Sequence, residues 1–303
     1  MFVEELERFA AAVSEPRCAA IAAQLAAPLQ VAVYGRRGVG SSTVAQALRC
    51  AGITVTTPAD ADLDVYVLAD AVKPEDQAAL AGATRPLLAV LNKADLVATA
   101  ATGRHPNGPT EAARARCAAL SVRAGTPVEP LVAVLAVAPL DDGAWTALHD
   151  QRPRVPALDT FGTRQARSAI RRGATRDDVK TLLRGLSNID AVVARLGVLG
   201  AQLRYQRVRE AVAELEAMAV TDQRIGDFLS CDATVIAQMM AAVDAAESVG
   251  MPVDRGDTAD DHLRRAARWE RHRRGPAVGV RRVCGADIVR GSLRLWAKAG
   301  GSI

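Results

Sequence analysis

The chain has 303 residues, 50% of them hydrophobic and 24% charged, enough to bury one large or two ordinary cores and too apolar for wholesale disorder. The formal net charge is +4, and the excess sits at one end: between Arg255 and Ile303 twelve Lys and Arg stand against five Asp and Glu. Cys18, Cys50, Cys117, Cys231 and Cys284 are odd in number, far apart and without a C-x-x-C pair, which argues against a disulfide framework or a zinc site and suits a reducing cytoplasm.

Met1 to Ala12 carries Glu4, Glu5 and Glu7 on a helical pattern, unlike a secretory signal. Residues 3–26 read as an amphipathic segment with Val3, Leu6, Phe9, Val13 and Ile21 on one side, kinked or split at Pro16. Leu29 to Tyr34 is a short apolar run that stops on Gly35, a buried strand feeding a glycine loop. Helices are then expected over Thr43–Cys50, Lys73–Ala83 and Glu111–Ala124, and strands over Ile53–Thr57, Val65–Ala69, Pro86–Leu91 and Val128–Val137. The longest apolar stretch, Leu131–Leu140, is well short of the ~20 residues that span a bilayer. Strands alternating with helices imply an α/β fold with a mostly parallel, doubly wound sheet.

After Asp141 the pattern turns helical: Arg164–Arg172, Arg176–Arg184 capped by Thr175, Ile189–Leu196, Ala201–Ala219, and Asp232–Ser248 closed by Gly250 and Pro252. Ile189, Val192, Leu196, Leu199, Leu203, Val208, Val212 and Leu215 keep three- and four-residue steps, a packing stripe with a slip near Gly197 and Gly200. Past Arg255 the chain is Arg- and Gly-rich and less periodic. The expected organisation is an N-terminal helix (1–28), a sheet domain (29–200) and a helical C-terminal region with a basic end (201–303).

Two segments carry chemistry. Gly35, Arg36, Arg37, Gly38, Val39, Gly40, Ser41 and Ser42, followed by Thr43, fit G-x-x-x-x-G-K-[ST] in register, with Ser41 where the Lys belongs. In such a loop the glycines let successive backbone N–H groups turn toward phosphates, and the helix that follows adds its positive end. Ser42 is the candidate Mg²⁺ ligand. The plainer alternative is a glycine turn between a strand and a helix.

Asn92, Lys93, Ala94 and Asp95, followed by Leu96, form N-K-x-D at the end of a buried strand. It resembles the element that reads guanine in GTPases, where the Asp carboxylate accepts from N1 and N2, the Asn supports the loop and the O6 side, and the Lys stem covers the ring. Adenine presents an acceptor at N1 to the same carboxylate and is rejected. A polar turn after a strand is the plainer alternative here.

In this order on successive strand ends, the two segments resemble the translation-factor class of P-loop GTPases, whose ligand lies at the C-terminal ends of the strands. The resemblance implies GTP or GDP, with Mg²⁺, as the ligand. The Lys of the phosphate loop and a D-x-x-G switch are missing, so it implies weak or absent hydrolysis. Asp60, Asp62 and Asp64 are candidates for a residual Mg²⁺ contact or a solvated acidic edge. Ala136 and Val137 are expected to close over the base, with Ala119 to Val122 as the weaker choice. From Leu158 onward, Leu-Asp-Thr-Phe-Gly-Thr, then Ala169 to Ala174, then Leu186 to Asp190 with Asn188 in place of a Gly, look like bacterial dynamin-like GTPases of the isoniazid-inducible kind. That likeness implies a regulatory or partner subunit of a dynamin-like GTPase. A scaffold that no longer binds nucleotide is the other reading.

His105, His149, His262 and His272 lack ligand spacing. The basic end, with Arg264, Arg265, Arg268, Arg271, Arg273, Arg274, Arg281 and Arg282, reads as a solvated helix face or as a peripheral contact with anionic lipid or an acidic partner, anchored by Trp269 and Trp296. No nucleic-acid motif accompanies the charge.

Overall fold

The computed structural model describes residues 1–96, 109–155, 158–274 and 280–301. His105 lies outside them, as do the side chains of Arg281 and Arg282. The chain divides into two compact units: Pro28–Gly197, and Met1–Ala27 together with Val198–Ile303.

The first unit is α/β. Strands β1 (Gln30–Gly35), β2 (Thr54–Thr56), β3 (Leu63–Leu68), β4 (Leu87–Leu91) and β5 (Val128–Pro130) form one sheet in the order β2-β1-β3-β4-β5, every neighbouring pair parallel. All six residues of β3 are buried, which requires cover on both faces. On one face Tyr66, Leu68, Ala89 and Leu91 pack with Leu120 and Cys117 of α5 (Pro109–Ala124) and with Ala79 and Leu80 of α4 (Pro74–Ala81). Helix α3 (Ser41–Cys50) follows β1 directly and buries Val44, Ala47 and Leu48. The order runs from β1 to β2 in one direction and from β3 through β5 in the other, so it reverses between β1 and β3.

β5 is shorter than its apolar run suggests. After Pro130 the chain leaves the sheet and Ala133–Val137 forms the short helix α6. A continuous apolar run does not distinguish a buried strand from a buried helix, and Ala136 and Val137 therefore sit on a helix instead of at a strand end. The unit is completed by α7 (Asp142–His149), α8 (Thr160–Arg171), α9 (Arg176–Ser187) and the start of α10 (Ile189–Ala219). Thr175 caps α9 as expected, with Asp178 closing the reciprocal box. Gly162, in the first turn of α8, has no room for a side chain, since a Cβ there would stand 2.4 Å from a Leu135 methyl. α10 is one unbroken helix, with Gly197 and Gly200 inside it, so the slip in the apolar stripe is a change of partners and not a break.

The second unit is all helix: α1 (Phe2–Val13), α2 (Pro16–Ala26), α10 from Val198, α11 (Gln223–Ser230), α12 (Asp232–Ser248), α13 (Ala259–Arg274) and α14 (Val280–Lys298). Pro16 splits the first segment at the N1 position it favours. Phe2, Leu6, Ile21, Val208, Leu215 and Phe228 make one core, with Phe9 stacked on Phe228 at 4.4 Å. Tyr205, Met239, Trp269, Cys284 and Ile288 make another. The region past Arg255 is thus two long helices. Its periodicity was hidden because α13 buries His262 and Arg265 beside Ala266 and Trp269.

Two expectations for the basic end are corrected here. Trp269 is 2% exposed and Arg265 5%, so neither faces a membrane or partner. The Arg265 guanidinium donates to Ser292 Oγ (2.9 Å), Asp254 O (2.8 Å) and Gly256 O (3.1 Å) and meets His262 Nδ1 at 2.8 Å. Arg273 and Arg274 both pair with Glu270. Trp296 is half-buried. All five cysteines are free thiols, and no single helix among the described residues is long and apolar enough to cross a membrane.

Candidate functional site

The glycine loop begins where β1 ends. A Cβ on Gly35 would lie 2.4 Å from Val67 O of the adjacent strand, so only glycine fits. Gly38 (φ 88) and Gly40 (φ 89) take left-handed backbone conformations, which glycine adopts without a side-chain penalty. Val39, between them, is buried and pins the loop to the unit. Gly40 is the N-cap of α3 and supplies no capping side chain, so the amides of Ser41, Ser42 and Thr43 are among the unfilled donors of a helix start. Ser42 is exposed there; Ser41 and Thr43 are half-buried.

Neither arginine closes the loop. Arg36 Nε donates to Asp76 Oδ1 at 2.7 Å and Nη2 to Ala71 O at 3.5 Å, while Arg37 is exposed. Asp76 also accepts from Tyr66 Oη (2.8 Å) and from the Lys73 amide (2.8 Å). Burial pushes the Asp76 carboxyl up, but the Arg36 hydrogen bond, then the Lys73 amide and the Tyr66 hydroxyl, outweigh it and hold it below the usual carboxylate value.

At the end of β4, Asn92 is buried and bridges two other segments: Nδ2 donates to Val39 O (3.0 Å), and Oδ1 accepts from the Ala133 amide (3.2 Å). Lys93, at φ 58, directs its Nζ to Gly38 O (3.1 Å). β1 and β4 are not neighbours, because β3 lies between them. These bonds therefore reach across a strand end to hold the loop. Gly40 makes room for the bridge, since a Cβ there would stand 2.6 Å from Asn92 Nδ2.

Asp95 is buried; burial, then the charge of Asp159, push its carboxyl up, against the amides of Asp95 and Leu96 and the charge of Lys93. Leu96 is 59% exposed. Beside Asp95 is a cavity of about 40 Å³ lined by Ala94, Pro130, Leu131, Val132, Phe161 and Ser187 among others, less than a purine ring fills.

The segment beside the Asn-Lys-Ala-Asp turn is Leu131–Ala133, not Ala136 and Val137. Leu131 O accepts from the Ala94 amide (3.2 Å), and the Ala133 amide reaches Asn92. This segment is held from behind by the α9–α10 junction: Val132 N donates to Ser187 O (3.0 Å) and Asn188 Nδ2 to Pro130 O (2.8 Å). Asn188 has φ 62, the conformation glycine would take most freely and Asn tolerates, and its side chain adds a bond that glycine lacks. In the sequence Asn188 stands out only as a departure from a Gly, and nothing separates Leu131 to Ala133 from the apolar run around them.

The three acidic candidates for Mg²⁺ stand at the opposite end of the sheet. Asp62 Oδ2 accepts from the Gln30 amide at the start of β1, and Asp64, at the start of β3, pairs with Arg85 (3.0 Å) and accepts from Tyr34 Oη (3.2 Å). Asp60 accepts from Thr57 Oγ1 (2.8 Å). At the rise of a parallel strand, Gln30 and Gly35 are roughly 17 Å apart, so Asp62 and Asp64 are fold residues. Among the described residues no group of three His, Cys, Asp or Glu is arranged to hold a metal.

No family model, no curated protein and no solved structure matches this chain.

Proposed function

We propose that the unit Pro28–Gly197 is a degenerate, doubly wound P-loop domain that binds a guanine nucleotide, GTP or GDP, with weak or absent hydrolysis. The observation that carries this reading is the brace from Asn92 and Lys93 to the carbonyls of Val39 and Gly38. An ordinary polar turn after a strand has no need to hold a glycine loop two strands away, whereas a base reader and a phosphate cradle must keep a fixed spacing to take one nucleotide. The reversal of strand order between β1 and β3 supports the reading, since open parallel sheets take ligands at the carboxyl ends of strands beside such a reversal. In this reading the amides from Gly38 to Thr43 face the phosphates and Ser42 holds Mg²⁺ together with the nucleotide's own oxygens. Asp95 accepts from guanine N1 and N2. Ser41 in place of Lys removes a cation that would hold the β- and γ-phosphates, and Arg36, occupied by Asp76, is no substitute. Hence holding, not transfer, is the assigned task, as suits a regulatory or partner subunit of a dynamin-like GTPase.

Calorimetric titration tests the assignment. GDP and GTP are expected to bind at least about tenfold tighter than ADP and ATP, and the preference should vanish in Asp95→Ala. Absence of heat with GDP at millimolar concentration, or equal affinity for ATP, overturns it. One observation favours a scaffold that binds no nucleotide: the cavity beside Asp95 holds only about 40 Å³. A silent titration would select that reading.

A further inference from the structure

A second cavity in the sheet unit shares no lining residue with the one beside Asp95, although Asp159 on its wall is the charge that, after burial, raises the Asp95 carboxyl. This second cavity is an open groove of about 610 Å³ between residues 151–155 with Leu158 and one face of α8, and its lining includes Arg154, Arg164, Arg167 and Arg171 against a single carboxylate, Asp159. Arg164, Arg167 and Arg171 stand at i, i+3 and i+7, with Thr160 and Thr163 on the same face. The opposite face of α8 packs Phe161, Ala166, Ala169 and Ile170 into the core, so the arginine face is held in place.

Elsewhere in this unit Arg36, Arg85, Arg176 and Arg184 have carboxylate partners. Among the described residues no carboxylate pairs with Arg154, Arg164 or Arg171. Arg167 donates to the carbonyl of Arg152, tying the loop to the helix, and its Nε is buried without an acceptor. Asp159 is spent on the Gly162 amide at 2.6 Å as the cap of α8. Arg154, Arg164 and Arg171 are exposed and Arg167 is half-buried; like charges three and four residues apart on a helix repel weakly, and a bound anion would relieve that repulsion. A cavity of this size matches a small molecule and not a helix or strand of another protein. Guanidinium forks match phosphate oxygens in geometry as well as charge.

We infer that this cavity is an anion site for a small molecule carrying two or more clustered phosphate groups, held by Arg154, Arg164 and Arg171 and separate from the loop at Gly35. The inference does not rest on the guanine assignment, since none of its residues belongs to the glycine loop or to Asn92–Asp95.

Calorimetry on the full chain with inorganic tripolyphosphate as the probe tests it. A site that persists in Gly40→Ala is expected, undisturbed by sodium sulfate at matched ionic strength. In Arg164→Gln/Arg171→Gln the affinity should fall about tenfold or more, and in Arg154→Gln, which lies off the helix, several-fold. Asp95→Ala and Gly40→Ala should leave it unchanged. No binding to the unaltered chain, equal affinity in the arginine variants, or loss on Gly40→Ala, which would place the probe in the glycine loop, overturns it. Loss of binding in Arg154→Gln with an unchanged circular dichroism spectrum separates loss of the site from loss of the fold. A guanine titration that fails while tripolyphosphate still binds would remove the nucleotide reading alone.

Discussion

Asp76 and Asp95 are both buried carboxylates at the start of a helical turn, one following β3 and the other β4. Their surroundings are opposite. Asp76 receives a guanidinium, a phenol and an amide, and is held ionised in spite of its burial. Asp95 has no cationic partner within ion-pair distance among the described residues, and burial raises its carboxyl instead. The first carboxylate is completed by the fold and fixes Arg36 away from the loop. The second receives the amides of Asp95 and Leu96 and no guanidinium or phenol among the described residues, so burial prevails.

The largest expected effect comes from breaking the completed side. Asp76→Ala strands Arg36, the Tyr66 hydroxyl and the Lys73 amide, and should cost about 3 kcal/mol in urea unfolding. Its folded-state value lies below the unfolded one, so its contribution is present above about pH 4 and is lost as pH falls through the folded value. The variant should therefore lose part of its acid limb, and an unchanged limb would contradict the pairing.

Next comes the link between the regions. Gly40→Ala imposes a left-handed alanine and displaces Asn92 Nδ2, for a cost of about 2 kcal/mol with guanine affinity down about tenfold. Gly38→Ala has a similar φ but meets nothing within 4 Å. It should cost about 1 kcal/mol and leave the Asn92 bonds intact. Equal loss of nucleotide affinity in the two variants would mean that the bridge does not position the loop.

The smallest effect on stability belongs to Asp95→Asn. A raised folded-state value means that stability is full below the unfolded value and is lost as pH rises through the folded one. The neutral isostere should therefore melt slightly higher than the parent at neutral pH and no higher in acid. Guanine affinity should fall about 100-fold in the same variant, since charge-assisted bonds are replaced by at best one neutral one. A variant that melts lower at neutral pH would show that Asp95 has a structural partner.

Much of the sheet was legible because its strands are short apolar runs closed by glycine, aspartate or proline. The glycine loop after β1 was legible from its spacing, and the left-handed backbone at Gly38 and Gly40 came from the structure. Leu131–Ala133 was not, since Val128 to Val137 is apolar throughout and only the hydrogen bonds to Asn92 and Ala94 show where the strand stops. Asp60, Asp62 and Asp64 misled for a related reason. Proximity in sequence to β3 said nothing about which end of the sheet they occupy. At the basic end, Arg265 and Trp269 were read as surface groups because composition counts charges without their partners.

By itself the sequence determined the order of the five strands and of the three helices that follow β1, β3 and β4, the cap at Thr175, a break at Pro16, and two segments whose residue types suit phosphate and guanine. These are local properties, governed by backbone preferences and by periodicity over a few residues. Only the tertiary structure decided that Asn92 and Lys93 brace the loop across an intervening strand and that Arg36 is committed to Asp76. It alone brought Ser187 and Asn188 behind the Asn92 turn and four arginines around one cavity. The first three join residues tens of positions apart, and the arginines are gathered by a turn between Arg154 and α8; hydrogen bonds and charges act over a few ångströms, so spacing along the chain does not reveal them.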